Sequence, residues 1–185
     1  MGILIAAVVV LTALTLFNLV LTLALVRRLR HSENPGPGGA FPVFPDLEEV
    51  PAGRAVPEFT ATTRDGVEIS AKERLGDRAV YAFFDTSCGS CKKQLQPLVD
   101  FAKDAGLSPE QVIAFVGHED PEADADAYTS VLEGHTTIVM QSLGDEVGLA
   151  FSPGGIPAII LADADGVVVR SGVEVKSVAA AFLEA

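Results

Sequence analysis

Cysteine is scarce in this chain, which carries only Cys88 and Cys91 among its 185 residues. A structural zinc ion takes about four Cys or His ligands, and the three histidines, His31, His118 and His135, show no paired ligand spacing. The sequence therefore predicts no metal site and no cofactor. It also leaves no third thiol that could mispair with the two cysteines.

Basic residues are few as well. Lysine and arginine number 13 against 25 acidic residues, and the formal net charge is -12. Arg27, Arg28 and Arg30 directly follow an apolar N-terminal run, so the rest of the chain is more acidic still. No basic stripe or aromatic-interleaved patch is present, which argues against nucleic acid as a partner. We interpret the acidic surplus as a source of solubility.

Hydrophobic residues make up 49% of the chain, and much of the excess lies in one N-terminal run, Ile3 to Val26. About 20 such residues span a bilayer as a helix. A cleaved signal peptide would need a basic start, a shorter apolar core and a small-residue cleavage site, none of which is visible. We therefore predict a transmembrane helix with a basic flank over residues 1–30.

The orientation of this anchor has two opposing indications. The arginines after the span place the following domain in the cytoplasm by the positive-inside rule. A membrane-anchored CxxC pair in a chain with no other cysteine suits an oxidising compartment, in which the disulfides of proteins must be controlled.

Residues 31–56 are rich in proline and glycine and poor in periodicity. Because proline stiffens the chain and removes backbone donors, this stretch predicts an extended tether that holds the next domain off the bilayer. Residues 57–185 remain as one domain, long enough to bury a core of its own.

The stretch 79–94, AVYAFFDTSCGSCKKQ, carries the most information about chemistry. Its apolar first half fits a buried strand, and two polar residues separate that strand from a Cys-Gly-Ser-Cys motif. A helix is predicted from the motif onward, because apolar residues recur at three- and four-residue steps from Cys91 to Phe101. Thr86 or Ser87 is the predicted N-cap.

The predicted helix places Cys88 at its N-terminus, where unpaired N–H groups and the helix dipole favour negative charge. A thiol there ionises more readily than a free thiol, whose pKa is about 8.5. Cys91 lies one turn inside, close enough to close a short disulfide with Cys88. Asp85 and Lys92 are candidates for tuning the pKa of the Cys88 thiol, since nearby charges favour or disfavour a thiolate.

A strand, a CxxC motif and a helix in this order are typical of dithiol–disulfide exchange. Two alternatives stand beside this interpretation: two inert core cysteines, or half of a zinc site that lacks its other ligands. The strand-to-helix context favours redox chemistry.

Strands and helices alternate along the rest of the domain. Phe59–Thr63 and Val67–Ile69 flank an Asp-Gly turn and predict a hairpin. Further strands are predicted over residues 111–116, 136–140, 158–161 and 167–170, and further helices around 128–131, 145–151 and 177–184. This order predicts an α/β fold with a mixed central sheet flanked by helices.

The order of these elements resembles the thioredoxin fold. It consists of a strand and the CxxC helix, a later Gly155-Ile156-Pro157 that enters a strand, an Asp-Gly hairpin and a last helix. With the anchor, the tether and the leading hairpin, residues 57–185 are similar to the membrane-anchored thiol–disulfide oxidoreductases of the TlpA/ResA type. The cysteine motif and the Gly-x-Pro motif together are a specific signal for this family.

This resemblance implies roles for individual residues. Cys88 would be the exposed attacking thiolate, and Cys91 the resolving thiol. Pro157 matches the family's cis-proline, beside which the backbone of Ile156 would meet a substrate strand. Many members carry a glutamate three residues after the second cysteine, where this chain has Gln94, which cannot act as a proton acceptor.

The resemblance also implies an activity: exchange of disulfides with partner proteins, as a reductant of their cysteines, on the extracytoplasmic side of a membrane. A peroxiredoxin-like peroxide reductase that uses Cys88, and a non-catalytic anchored adaptor for the maturation of another enzyme, are the alternatives. The oligomeric state is left open.

Overall fold

The computed structural model describes residues 49–74, 77–117 and 125–184, together with positions 2, 5, 15 and 19. Those four N-terminal positions are helical, and the rest of the predicted anchor and the tether up to residue 48 lie outside the described residues. Across the part of the chain that is described, no helix combines the length and apolarity that a bilayer crossing requires. The chain divides into two compact units, residues 1–45 and 46–185, and the second carries the elements below.

Within the described residues of the second unit, seven strands and four α-helices follow one another. They are β1 (Thr60–Thr62), β2 (Glu68–Ser70), β3 (Ala79–Asp85), α1 (Gly89–Asp104), β4 (Val112–Gly117), α2 (Ala125–Leu132), β5 (Thr137–Met140), α3 (Glu146–Phe151), β6 (Ala158–Ala162), β7 (Val168–Gly172) and α4 (Val175–Glu184). These elements confirm the predicted α/β order, including both hairpins.

The central sheet has five strands in the order β5-β4-β3-β6-β7. β3 and β4 pair in parallel, as do β4 and β5, whereas β6 is antiparallel to both β3 and β7. The sheet is therefore mixed, as predicted. β1 and β2 form a separate antiparallel pair.

Both faces of the central sheet are covered, which explains why β3, β4 and β6 are almost continuously apolar. Alternate residues of β3 point to opposite faces. Val80 and Phe84 belong to the core shared with α1, α2 and α4, whereas Tyr81 and Phe83 belong to an aromatic core with Phe59 of the leading segment and with α3. The helix α1, which carries Cys91, thus packs on a sheet that is covered on both faces.

Residues 50–56, which we call the N-terminal strap, lie along β7 although they fall within the predicted tether. The Gly53 and Val56 N–H groups donate to the carbonyls of Val168 and Gly166, both at 2.8 Å. Val50 is only 5% exposed. An edge strand offers unpaired backbone groups to any adjacent extended segment, so packed structure is already present at Val50, before the predicted boundary at residue 57.

Candidate active site

The helix α1 uses Cys88 itself as its N-cap. Cys88 has extended backbone angles, φ -94° and ψ 104°, and the N–H of Cys91 donates to its Sγ atom at 3.2 Å. The sulfur takes the place that a Ser, Thr or Asp oxygen usually has in a cap. The prediction of Thr86 or Ser87 as N-cap was wrong, because those two residues form the turn that the Cys88 N–H closes on the Asp85 carbonyl at 3.0 Å.

Cys88 and Cys91 form a disulfide, with their Cα atoms 5.3 Å apart. The two ends of this bond differ in accessibility. Cys88 is half-buried, whereas Cys91 is 0% exposed and packs in the core between α1 and the sheet. The Cys88 residue is therefore partly open to solvent, whereas Cys91 is closed off from it.

Polar groups surround the Cys88 sulfur and backbone. The Sγ atom lies 3.1 Å from the Oγ atom of Ser90. On the far side, the buried Tyr128 of α2 donates its hydroxyl proton to the Cys88 carbonyl at 3.0 Å. The Cys91 N–H and the Ser90 hydroxyl are donors of the kind that stabilise a thiolate after reduction.

The loop between α3 and β6 brings Ile156 to the disulfide. The Ile156 carbonyl oxygen lies 4.0 Å from the Cys88 Sγ atom, and the Ile156–Pro157 peptide bond is cis. Ile156 is half-buried and Pro157 is buried. The residues predicted to meet a substrate are thus adjacent to the more accessible cysteine.

Asp85 is directed at the loop that precedes Cys88. Its Oδ1 atom accepts from the backbone N–H of Ser87 at 2.8 Å and from the Ser87 hydroxyl at 2.5 Å. The carboxylate also packs against Gly117, where an added Cβ atom would lie 2.7 Å from Oδ2. Asp85 therefore stabilises the turn that positions Cys88. The sequence, in which Asp85 lies three residues before Cys88, could not distinguish this role from tuning of the pKa of the Cys88 thiol.

Lys92 and Gln94 lie on different sides of α1. Lys92 is exposed. The Gln94 Oε1 atom accepts from the Val175 N–H at 3.0 Å, at the first residue of α4. One of the unpaired N–H groups at the start of α4 is satisfied in this way, and the hydrogen bond joins the disulfide-bearing helix to the last helix.

Sequence reasoning missed Tyr128 and Gln94 as contributors to the site. Tyr128 has the spacing of a core residue on an amphipathic helix, and no local pattern shows that its hydroxyl reaches a carbonyl 40 residues earlier. Gln94 was noticed only because a glutamate is common at that position in similar proteins. Both contacts are tertiary, which is why the sequence carries no direct signal for them.

The mixed sheet and the disulfide at the N-terminus of α1, beside a cis-proline, define a thiol–disulfide oxidoreductase with a thioredoxin-like fold. The family model described as Redoxin matches residues 51–182, and the chain belongs to the Redoxin family. A search of curated proteins finds no match to this chain.

Several solved structures share the fold. A thiol:disulfide interchange protein of the thioredoxin family from Chlorobium tepidum is 20% identical, with a TM-score of 0.58, over 73% of this chain and 97% of that one. A secreted Mycobacterium tuberculosis disulfide oxidoreductase homologous to E. coli DsbE is 18% identical, with a TM-score of 0.57, over 69% and 96%. A thio-disulfide isomerase from Thermus thermophilus is 21% identical, with a TM-score of 0.54, over 73% and 96%.

Proposed function

We propose that this protein reduces disulfides of partner proteins, with Cys88 as the attacking thiolate and Cys91 as the resolving thiol. The observation that carries the proposal is the contrast within the disulfide. Cys88 caps the helix at a half-buried position, whereas Cys91 is fully buried one turn further on. An exchange reaction needs one sulfur that a partner can reach and a second that is kept for the following step.

In the proposed cycle, the Cys88 thiolate attacks one sulfur of the partner's disulfide, and the partner's other sulfur leaves as a thiolate. The Cys91 thiolate then attacks the Cys88 sulfur of the mixed disulfide. This step releases the partner's second sulfur and closes the Cys88–Cys91 disulfide. The partner gains two electrons, and an external dithiol returns two electrons to this protein before the next turn.

The helix N-terminus makes the first step faster. The Cys91 N–H already points at the Cys88 sulfur, at 3.2 Å, and the dipole of α1 favours negative charge there. We infer that the backbone beside Ile156 and Pro157 receives the extended segment of the partner that carries its disulfide, since Ile156 lies next to the Cys88 sulfur.

We further propose that residues 1–30 anchor the protein in a membrane and that the thioredoxin-like domain lies outside the cytoplasm. The apolar run from Ile3 to Val26 supports the anchor. The Mycobacterium tuberculosis protein that shares the fold is secreted, which supports the location, whereas Arg27, Arg28 and Arg30 favour the opposite orientation by the positive-inside rule. A cysteine-reactive reagent that does not cross membranes, applied to whole cells, distinguishes the two orientations.

Trapping tests the proposed roles. In the Cys91→Ala variant the resolving step is blocked, so we expect a stalled mixed disulfide between Cys88 and the partner that is visible on a non-reducing gel and lost on reduction. Cys88→Ala is the matched control and should trap nothing. A trapped species with Cys88→Ala but not with Cys91→Ala would reverse the two roles.

Two further measurements separate the alternatives. A specialised peroxide reductase would oxidise with hydrogen peroxide much faster than an ordinary thiol does, and stopped-flow mixing of the reduced protein with peroxide measures this rate. We expect no such acceleration. An adaptor without turnover would keep its cellular role in the Cys88→Ala, Cys91→Ala double variant, and we expect that variant to lose it.

A further inference from the structure

The N-terminal strap reaches the loop that carries Ile156, and we propose that Arg54 of the strap is a positioning residue for partner docking. This inference rests on the proposed function, because it concerns how a partner protein meets Cys88. It assigns a role at the active site to a segment that precedes the first strand of the domain.

The strap is fixed to β7 by hydrogen bonds along its length. The Val168 N–H donates to the Arg54 carbonyl at 2.8 Å, and the Gly53 N–H donates back to the Val168 carbonyl at 2.8 Å. At the start of the strap, the buried Ser171 hydroxyl donates to the Val50 carbonyl at 2.8 Å. The backbone of Arg54 is therefore held in place by a strand of the central sheet.

The Arg54 side chain reaches from this fixed backbone to the end of α3. Its Nη1 atom donates to the Phe151 carbonyl at 3.1 Å, and its Nη2 atom donates to the Ala150 carbonyl at 3.0 Å. The last carbonyls of a helix have no partner within it and carry the negative end of its dipole. A guanidinium group can satisfy two of them at once with a defined geometry.

These two carbonyls lie where the Ile156 loop begins. α3 ends at Phe151, its C-cap Ser152 has a left-handed backbone with φ 46°, and the chain then runs through residues 153–157 into β6. Val50 of the strap lines a small cleft with Gly154 and Pro157 of this loop. The strap therefore binds the end of α3 directly before the loop through Arg54, and Val50 lines one cleft together with the loop itself.

The position of this loop matters more for a partner protein than for a small disulfide. A protein must fit its backbone beside Ile156, whereas a small disulfide needs only the Cys88 sulfur. Because Arg54 acts on the loop through carbonyls of α3, its loss should weaken partner docking and leave the reactivity of Cys88 unchanged.

The test compares Arg54→Ala and Arg54→Lys with Arg170→Ala, which removes an exposed arginine from β7. The full-length protein is purified in detergent, and dithiothreitol supplies the electrons. Insulin serves as the protein disulfide in the presence of dithiothreitol. The small disulfide is 5,5′-dithiobis(2-nitrobenzoate), and its single-turnover reaction is followed with protein that has been reduced and then freed of dithiothreitol, because dithiothreitol reduces this compound directly. Urea unfolding of each variant reports on the fold.

We expect Arg54→Ala to raise the KM for insulin about fivefold, because part of the stabilisation from two charge-assisted hydrogen bonds to α3 is lost. Its kcat and its rate with the small disulfide should match those of the parent protein. Arg54→Lys should fall between them, since an ammonium group can still bind one carbonyl, and Arg170→Ala should behave as the parent.

Two results would overturn the proposal: an unchanged KM for insulin in Arg54→Ala, or an equal loss with both substrates. The first would mean that the loop does not depend on Arg54, and the second that Arg54 only supports the fold. If the parent protein reduced neither substrate, the proposed function itself would fail, and that result is distinct from both.

Discussion

Two loops meet at the disulfide, and they are held in place by different means. The loop before Cys88 is fixed mainly by neighbours in sequence: Asp85 accepts from Ser87, and the Cys88 N–H closes the turn. The loop that carries Ile156 depends on residues far away in sequence, because Arg54 binds the end of α3 across 96 and 97 positions.

This difference separates reactivity from recognition. The first loop positions the Cys88 backbone at the start of α1, so its contacts should govern how fast the thiolate forms and attacks. The second loop carries the backbone that we propose for partner docking, so its distant support should govern which molecules are bound. Substitutions near Cys88 and substitutions in the strap should therefore change different measured quantities.

The largest expected effect concerns the two sulfurs of the reduced protein. Iodoacetamide should modify Cys88 at least a hundredfold faster than Cys91, because only an accessible thiolate reacts readily. The Cys88 rate should rise with pH, because the thiolate is the reactive form of the thiol. Mass spectrometry of quenched samples measures both rates. Equal rates for the two cysteines would remove the basis for their separate roles.

Gly117→Ala should have the next largest effect, and it acts on the first loop. The new Cβ atom would lie 2.7 Å from the Asp85 Oδ2 atom and 3.2 Å from the Ser142 Cα atom. Asp85 would have to move and weaken its bonds to Ser87, at a cost of about 1–3 kcal/mol in the free energy of unfolding. Urea unfolding measures this cost, and we expect the alkylation rate of Cys88 to change with it.

Gly144→Ala is the matched control for this substitution, because nothing lies within 4 Å of an added Cβ atom at that position. It should leave both the unfolding free energy and the alkylation rate unchanged. If Gly117→Ala changed the insulin KM while the alkylation rate stayed constant, the separation between the two loops would be wrong.

Tyr128→Phe should have the smallest effect of the three. It removes the hydroxyl that donates to the Cys88 carbonyl and keeps the buried ring, so we expect a loss of about 1 kcal/mol in the free energy of unfolding. The alkylation rate of Cys88 should fall slightly, since its backbone is held less firmly. Tyr81→Phe, in the aromatic core on the opposite face of the sheet, provides the comparison and should leave that rate unaltered.

The sequence predicted the fold and the disulfide well, because both depend on patterns within short stretches. Continuous apolar runs indicate strands that are buried on both faces, and the spacing from Cys91 onward indicates a helix. The contacts of Arg54, Gln94 and Tyr128 could not be predicted, since each joins a side chain to a backbone group that only the folded chain brings near.

The strap shows a second limit of sequence reasoning. Its proline and glycine content is typical of a tether, but its pairing with β7 uses backbone groups that every residue carries. Composition therefore gave no information on whether this segment packs. The cap at Cys88 was missed for a related reason, because a sulfur atom is not among the usual capping acceptors.

The hydrogen bond from Val175 to Gln94 has a consequence for the conditions under which the protein works. A side-chain amide keeps the same charge in acidic and in neutral surroundings, whereas a carboxyl group at this position would gain a proton as acidity increased. The hydrogen bond that joins the disulfide-bearing helix to the last helix is therefore insensitive to acidity, so acid alone should not break this connection between them.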